Sequence, residues 1–190
     1  MAKNNEERFA TMFMDLVKSC TDARKDLKSV LNEVMVALHR FLGFRQIAIA
    51  LRDNSTNLYR YGYFMGFTQT AIAEYKKIEY CYEDLFDIKN YPRIKISDSV
   101  HIFPSEFTAY KPGEEGTFNH PSKLGKPRNE LEDLLEDDYF NVFMYDHDKR
   151  CIGWLEISGT PDGKLPTRES VRWLELIASM LGKTLGNRIP

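Results

Sequence analysis

The stretch Ile152–Leu176, IGWLEISGTPDGKLPTRESVRWLEL, changes its pattern halfway. It begins with large and small residues alternating around Gly153 and Trp154, as a strand does. Gly159-Thr160-Pro161-Asp162-Gly163 then breaks the run with turn chemistry. Beyond it, Thr167 is placed to cap a helix, with Glu169 near the positive end of its dipole. Two apolar stripes run along that helix. One passes through Val171, Leu174, Ala178, Leu181 and Leu185, the other through Trp173, Ile177, Met180 and Thr184. One stripe is enough to cover a sheet, so the second implies a further partner.

Outward from this stretch, the rest of the chain reads as strands bracketed by helices. Phe9, Phe13, Leu16 and Cys20 make one helical stripe, interrupted near Ser19–Asp22. Leu27, Leu31, Val34, Leu38 and Phe41 make a second, stopped by Gly43. Arg45–Arg52 and Leu58–Met65 form a hairpin about Asp53–Asn57, with Tyr59, Tyr61 and Tyr63 expected on one face. Thr68 opens a helix expected to reach Glu79, and Glu83–Ile88 is a second short helical piece. Arg93–Phe103 reads as one strand ended by Pro104. Ser105–Lys126 is a long loop without period, and long loops inside domains are usually functional or disordered. Leu131, Leu134 and Leu135 suggest a short helix over Asn129–Glu136. Tyr139–Tyr145 and Cys151–Ser158 form a second hairpin about Asp146–Arg150. Strands joined by tight turns pair antiparallel. The expected fold class is therefore α+β, with a helix layer against a mostly antiparallel sheet.

Composition narrows the function. The chain has 190 residues, 43% of them apolar, and a formal net charge of −2. That suits one domain with a real core and gives no basic face for nucleic acid. The opening MAKNNEERF is charged where a signal peptide is apolar. Apolar runs such as Ile47–Leu51 fall far short of the roughly 20 residues that cross a bilayer, so no membrane partner is expected. Three scattered cysteines, Cys20, Cys81 and Cys151, make no disulfide framework or zinc spacing, and point to a cytoplasmic location.

Several segments together resemble the GAF domains of prokaryotic sensor kinases. They are Ile152-Gly153-x-Leu155, Pro161-Asp162-Gly163-x-Leu165-Pro166-Thr167-x-Glu169 and Leu174-Glu175-x-x-Ala178. Ile94–Ser99, Ile102–Glu106, Asp26-Leu27 and Gly43-Phe44 agree with the same pattern. The resemblance covers about Asp26 to Gly186 and implies a sheet of five to six strands. It places the N- and C-terminal helices on one sheet face and a helix/loop crossover on the other. Residues 1–25 are then a leading helix for signalling or dimerisation, and 26–187 the GAF-like domain.

What the resemblance implies is a non-catalytic sensory or regulatory domain, a small-molecule ligand of unknown identity and a homodimer. Its output would be an effector kinase or other module in another chain or a longer parent. The alternatives are a thiol-dependent methionine sulfoxide reductase on the same fold, or a ligand-free dimerisation module. The wide spread of the cysteines argues against thiol catalysis. His39, His101, His120 and His147 show no metal-ligand spacing, and no cofactor is named by any motif. The cyclic-nucleotide signature of the family and the bilin-bearing cysteine of phytochromes are both lacking. Strand aromatics and the long loop place a ligand site between the crossover and the sheet, at Tyr63, Phe64, Ile96, His101, Phe103 and Phe143. The dimer interface is expected at Phe9, Phe13, Leu16, Trp173, Ile177 and Met180, as an apolar patch left exposed on an isolated domain; the alternative is that the entry helix folds back and covers the stripe within one chain.

Overall fold

A computed structural model describes residues 2–186 and Arg188, with side chains from Glu6 onward, so the expected domain end at residue 187 lies outside the described residues. The described residues form five α-helices: α1 (Ala2–Thr21), α2 (Leu27–Leu42), α3 (Gln69–Tyr75), α4 (Tyr82–Phe86) and α5 (Arg168–Leu185). The strands are β1 (Gln46–Arg52), β2 (Tyr59–Met65), β3 (Glu79–Tyr80), β4 (Ile94–Lys95), β5 (Val100–Phe103), β6 (Tyr139–Tyr145) and β7 (Cys151–Ser158). They form one sheet in the order β3-β2-β1-β7-β6-β5-β4, antiparallel throughout. The two hairpins expected from sequence, β1–β2 and β6–β7, are its centre.

The seven strands exceed the expected five to six for two local reasons. Arg93–Phe103 is not one strand but β4 and β5, because Ser97 folds the chain back. Its hydroxyl accepts from the Val100 amide at 3.1 Å, while the Ile96 amide donates to the Val100 carbonyl at 2.9 Å. The helix opened by Thr68 ends at Tyr75, and Glu79–Tyr80 leaves it to pair with Arg60 and Tyr59.

The helix expected over Asn129–Glu136 does not form. The Leu134 amide donates to the Gly163 carbonyl at 2.7 Å, and the Leu165 amide to the Glu132 carbonyl at 2.7 Å. Lys164 reaches Asp133 at 2.7 Å. These backbone groups are spent on the turn before α5, and Leu131 is left exposed.

Helix ends follow their sequence signals. Asp26 accepts from the Ser29 amide at 2.6 Å, and Gly43 closes α2 in the left-handed region at φ 76°. Thr167 caps α5 by accepting from the Ser170 amide at 3.2 Å. Helices α2 and α5 cover one sheet face with Leu31, Val34, Leu38, Leu174, Ala178 and Leu181, all fully buried against Ile47, Leu155 and Ile157. Gly182 lets α5 approach closely, since a Cβ there would lie 2.2 Å from the Tyr145 carbonyl oxygen.

Helix α1 lies over α2 and α5. Phe9 stacks on Trp173 with ring centroids 5.3 Å apart, and Phe13 meets the same ring at 6.2 Å. Leu16, Ile177 and Met180 are all buried. The second stripe of α5 is therefore not exposed as expected, because α1 of the same chain covers it.

Candidate functional site

The opposite sheet face meets the crossover, the segment 66–138, through a layer of aromatic side chains. Tyr59 and Tyr61 come from β2, Phe103 from β5, Tyr139 and Phe143 from β6, and Trp154 from β7. Tyr75 of α3, Tyr80 of β3 and Tyr91 close over them. Tyr61 stands edge-on to Tyr75 at 4.7 Å and to Trp154 at 5.7 Å, while Phe103 and Tyr139 stack at 4.5 Å.

Burying so many phenols and an indole requires partners for their polar ends. Two carboxylates supply most of them. Glu156 accepts from the hydroxyls of both Tyr61 and Tyr75, and the Trp154 Nε1–H donates to the Tyr61 oxygen at 3.0 Å. Glu114, on the long loop, accepts from Tyr91 at 2.9 Å, Tyr80 at 3.1 Å and the Lys111 amide at 2.7 Å. Both acids are buried, and among the described residues neither has a cationic side chain as ion-pair partner.

Burial pushes the Glu156 carboxyl up to about 7, partly offset by its two tyrosine hydrogen bonds, with the Glu114 charge adding to the rise. Tyr61 and Tyr75 are driven well above the ordinary phenol range by burial, and the charge of Glu156 adds to it.

Cross-strand register extends this chemistry across the sheet. Glu156 of β7 pairs with Asn141 of β6, and Asn141 pairs with His101 of β5. All three share parity with the aromatic layer, so they form a polar row beneath the crossover. Asn141 and His101 are buried, and Asn141 Oδ1 and both ring nitrogens of His101 have no hydrogen-bond partner. Burial, then the nearby positive charges of Arg93 and Lys95, hold the His101 ring down to about 4, so it is neutral at physiological pH. Its ring packs on Phe143 at 5.0 Å and Phe86 at 6.5 Å.

Of the ligand residues expected from sequence, His101, Phe103, Phe143 and the partly buried Phe64 lie on this face. Tyr63 does not. The ladder pairs Ile49 with Tyr63 but Ala50 with Tyr61, so Gly62 is an extra residue that reverses the parity. Tyr63 consequently packs with the helix-side core, away from Tyr59 and Tyr61. Ile96 is 45% exposed beyond the end of β4. Glu156, Asn141, Glu114 and Tyr75 were not expected from sequence. Glu156 and Asn141 each interrupt an otherwise apolar strand two residues from an inward aromatic, which was the available signal.

The cysteines are not brought together. Cys20 belongs to the helix-side core and Cys151 to the crossover-side core, with the sheet between them, while Cys81 is exposed. Burial raises the Cys20 thiol and pushes Cys151 up to about 11, the wrong direction for a thiolate nucleophile.

The same architecture recurs in solved structures. A GAF domain/HD domain protein from Geobacter sulfurreducens superposes with a TM-score of 0.62 at 12% identity, covering 90% of this chain and 96% of that one. The fold is the GAF fold. The GAF domain of A. aeolicus nlh2, in an inactive state, gives a TM-score of 0.60 at 14% identity over 97% of this chain and 99% of its own. A GAF domain from Pseudomonas syringae pv. tomato, from a protein described as a sensor histidine kinase, gives 0.61 at 11% identity over 98% and 91%. No protein-family model and no curated protein sequence matches the chain. Among the described residues, no helix of this GAF fold is long and apolar enough to cross a membrane.

Proposed function

We propose that this chain is a sensory or regulatory GAF domain that binds a small molecule at the polar row under its crossover and signals through its terminal helices. The observation that supports this best is the set of unpartnered polar atoms on buried Asn141 and His101. Leaving such groups unpaired costs about 1–3 kcal/mol each, a cost that an arriving ligand removes. Phe103 and Phe143 lie beside the row in the crossover-side core, with Phe64 packed against it, and give the site apolar surroundings. The route outward is short. Glu156 lies in β7, and β7 leads through the turn at 159–163 directly into α5.

Native mass spectrometry of the freshly purified protein tests the binding. The expected result is a small-molecule adduct that is lost on denaturation and lost in Asn141→Leu. An apo mass in the wild type, unchanged by a small-molecule extract, refutes it and favours the ligand-free dimerisation module. A homodimer belongs to the same reading. Exchange of α1 between two copies would form the contacts of Phe9, Phe13 and Leu16 with Trp173, Ile177 and Met180 in trans. Open grooves of about 700 Å³ and 860 Å³ flank α1 on its α2 and α5 sides and give a second copy room to dock.

A further inference from the structure

Resting on that ligand-binding reading, we infer that the molecule taken up at the polar row is a small organic cation, a primary ammonium or amidinium bound by Glu156 and Asn141. The row is rich in unfilled acceptors. A carboxylate offers about four lone-pair sites, and Glu156 uses two of them on Tyr61 and Tyr75. Asn141 Oδ1, directly across the ladder, is an acceptor with nothing to accept. A ring nitrogen of neutral His101 is a third, one strand further on.

Charge selects in the same direction. Glu156 and Glu114 place two acids in one aromatic layer with no cationic side chain paired to either among the described residues. An anionic ligand would add a second buried charge without a partner, and a neutral one would leave Glu156 holding its proton, whereas a cation lets the carboxylate ionise with a partner. The walls suit an organic cation better than a metal ion. Tyr61 and Tyr75 bond the Glu156 carboxyl and Tyr61 packs edge-on with Tyr75, Tyr80 and Trp154, and aromatic rings attract alkylammonium groups. Among the described residues no three His, Cys, Asp or Glu side chains converge to hold a metal.

Proton and ligand compete for the same carboxylate. The groups facing Glu156 are Tyr61 from β2, Tyr75 from α3, Tyr80 from β3, Tyr139 from β6 and Glu114 from the long loop. None of them carries a positive charge. Without ligand, the carboxyl keeps its proton to about pH 7, which removes the cost of a buried lone charge. A bound ammonium replaces that proton, so affinity should rise about tenfold per pH unit up to about pH 7 and level off above it.

Three probes of one shape and different charge test the inference on the intact chain: n-butylammonium, n-butanol and butyrate, followed by amide chemical shifts at residues 139–143 and 154–158. The expected result is saturable binding of n-butylammonium alone, weakened about tenfold or more in Glu156→Gln. Asn141→Leu should weaken it too while leaving the fold intact. Binding of n-butylammonium that Glu156→Gln leaves unchanged overturns the inference, as does binding of none of the three. Binding of butanol or butyrate in place of the cation overturns the ligand class but leaves small-molecule binding standing. An adduct in native mass spectrometry judges that broader reading separately.

Discussion

Replacing Glu156 by glutamine should change how stability depends on pH, because burial raises its carboxyl pKa. The unfolded chain releases this proton near 4.5, and the folded chain holds it to about 7. Between those values the folded state binds one proton more, so stability falls as pH rises, by about 1.4 kcal/mol per pH unit. Over the interval 7 − 4.5, about 2.5 pH units, the loss is about 3 kcal/mol. The contribution is full below about pH 4.5 and gone above about pH 7. His101 runs the other way. Its ring is held down to about 4 against 6.5 in the unfolded chain, so its contribution is present above pH 6.5 and lost as pH falls to about 4. That interval is also about 2.5 pH units, and the two slopes oppose one another between about pH 4.5 and 6.5. The wild type hides both, and single variants expose them. In urea denaturation across this range, Glu156→Gln should gain about 3 kcal/mol on the wild type between pH 4.5 and 7. His101→Leu should lose a similar amount on the wild type as pH rises from 4 to 6.5. Variant and wild-type curves that stay parallel across the window would refute the buried, protonated state assigned to Glu156.

Three further outcomes follow from packing. Gly182→Ala must push α5 off the Tyr145 carbonyl, so a loss of about 1–3 kcal/mol is expected in thermal or urea unfolding; a neutral change means the helix is not seated that closely. Thr167→Ala removes the α5 cap and should cost about 1 kcal/mol, with no loss if the Ser170 amide is otherwise satisfied. Ile177→Glu buries a charge between α1 and α5, so it should destabilise the chain strongly and loosen α1 in hydrogen exchange. Sedimentation of the unmodified protein decides the proposed homodimer, and a monomer at micromolar concentration overturns it.

Most of the fold was legible because its signals are local. Asp26, Gly43 and Thr167 mark helix ends through hydrogen bonds or backbone geometry that need only a few neighbouring residues. The hairpins about Asp53–Asn57 and Asp146–Arg150 are fixed by their turns. What failed was set by partners distant in sequence. The leucines of 129–136 have helical spacing, but the backbone there binds a turn some thirty residues on, which no periodicity records. The parity of Tyr63 depends on whether Gly62 bulges, and a bulge leaves no apolar pattern of its own.

The site shows the same limit more sharply. Phe103, Phe143 and His101 were legible as inward strand residues, because aromatic rings announce a buried face. Glu156 was not, because an acid in a strand ordinarily marks the solvent side. Its parity with Trp154 said otherwise, yet parity becomes decisive only once β7 is known to lie at the centre of the sheet, between β1 and β6. On an edge strand the same glutamate would be an ordinary surface charge. In the fourth position of seven, covered by Tyr61 and Tyr75, it has to be protonated or paired, and that necessity makes it the residue from which a function can be argued.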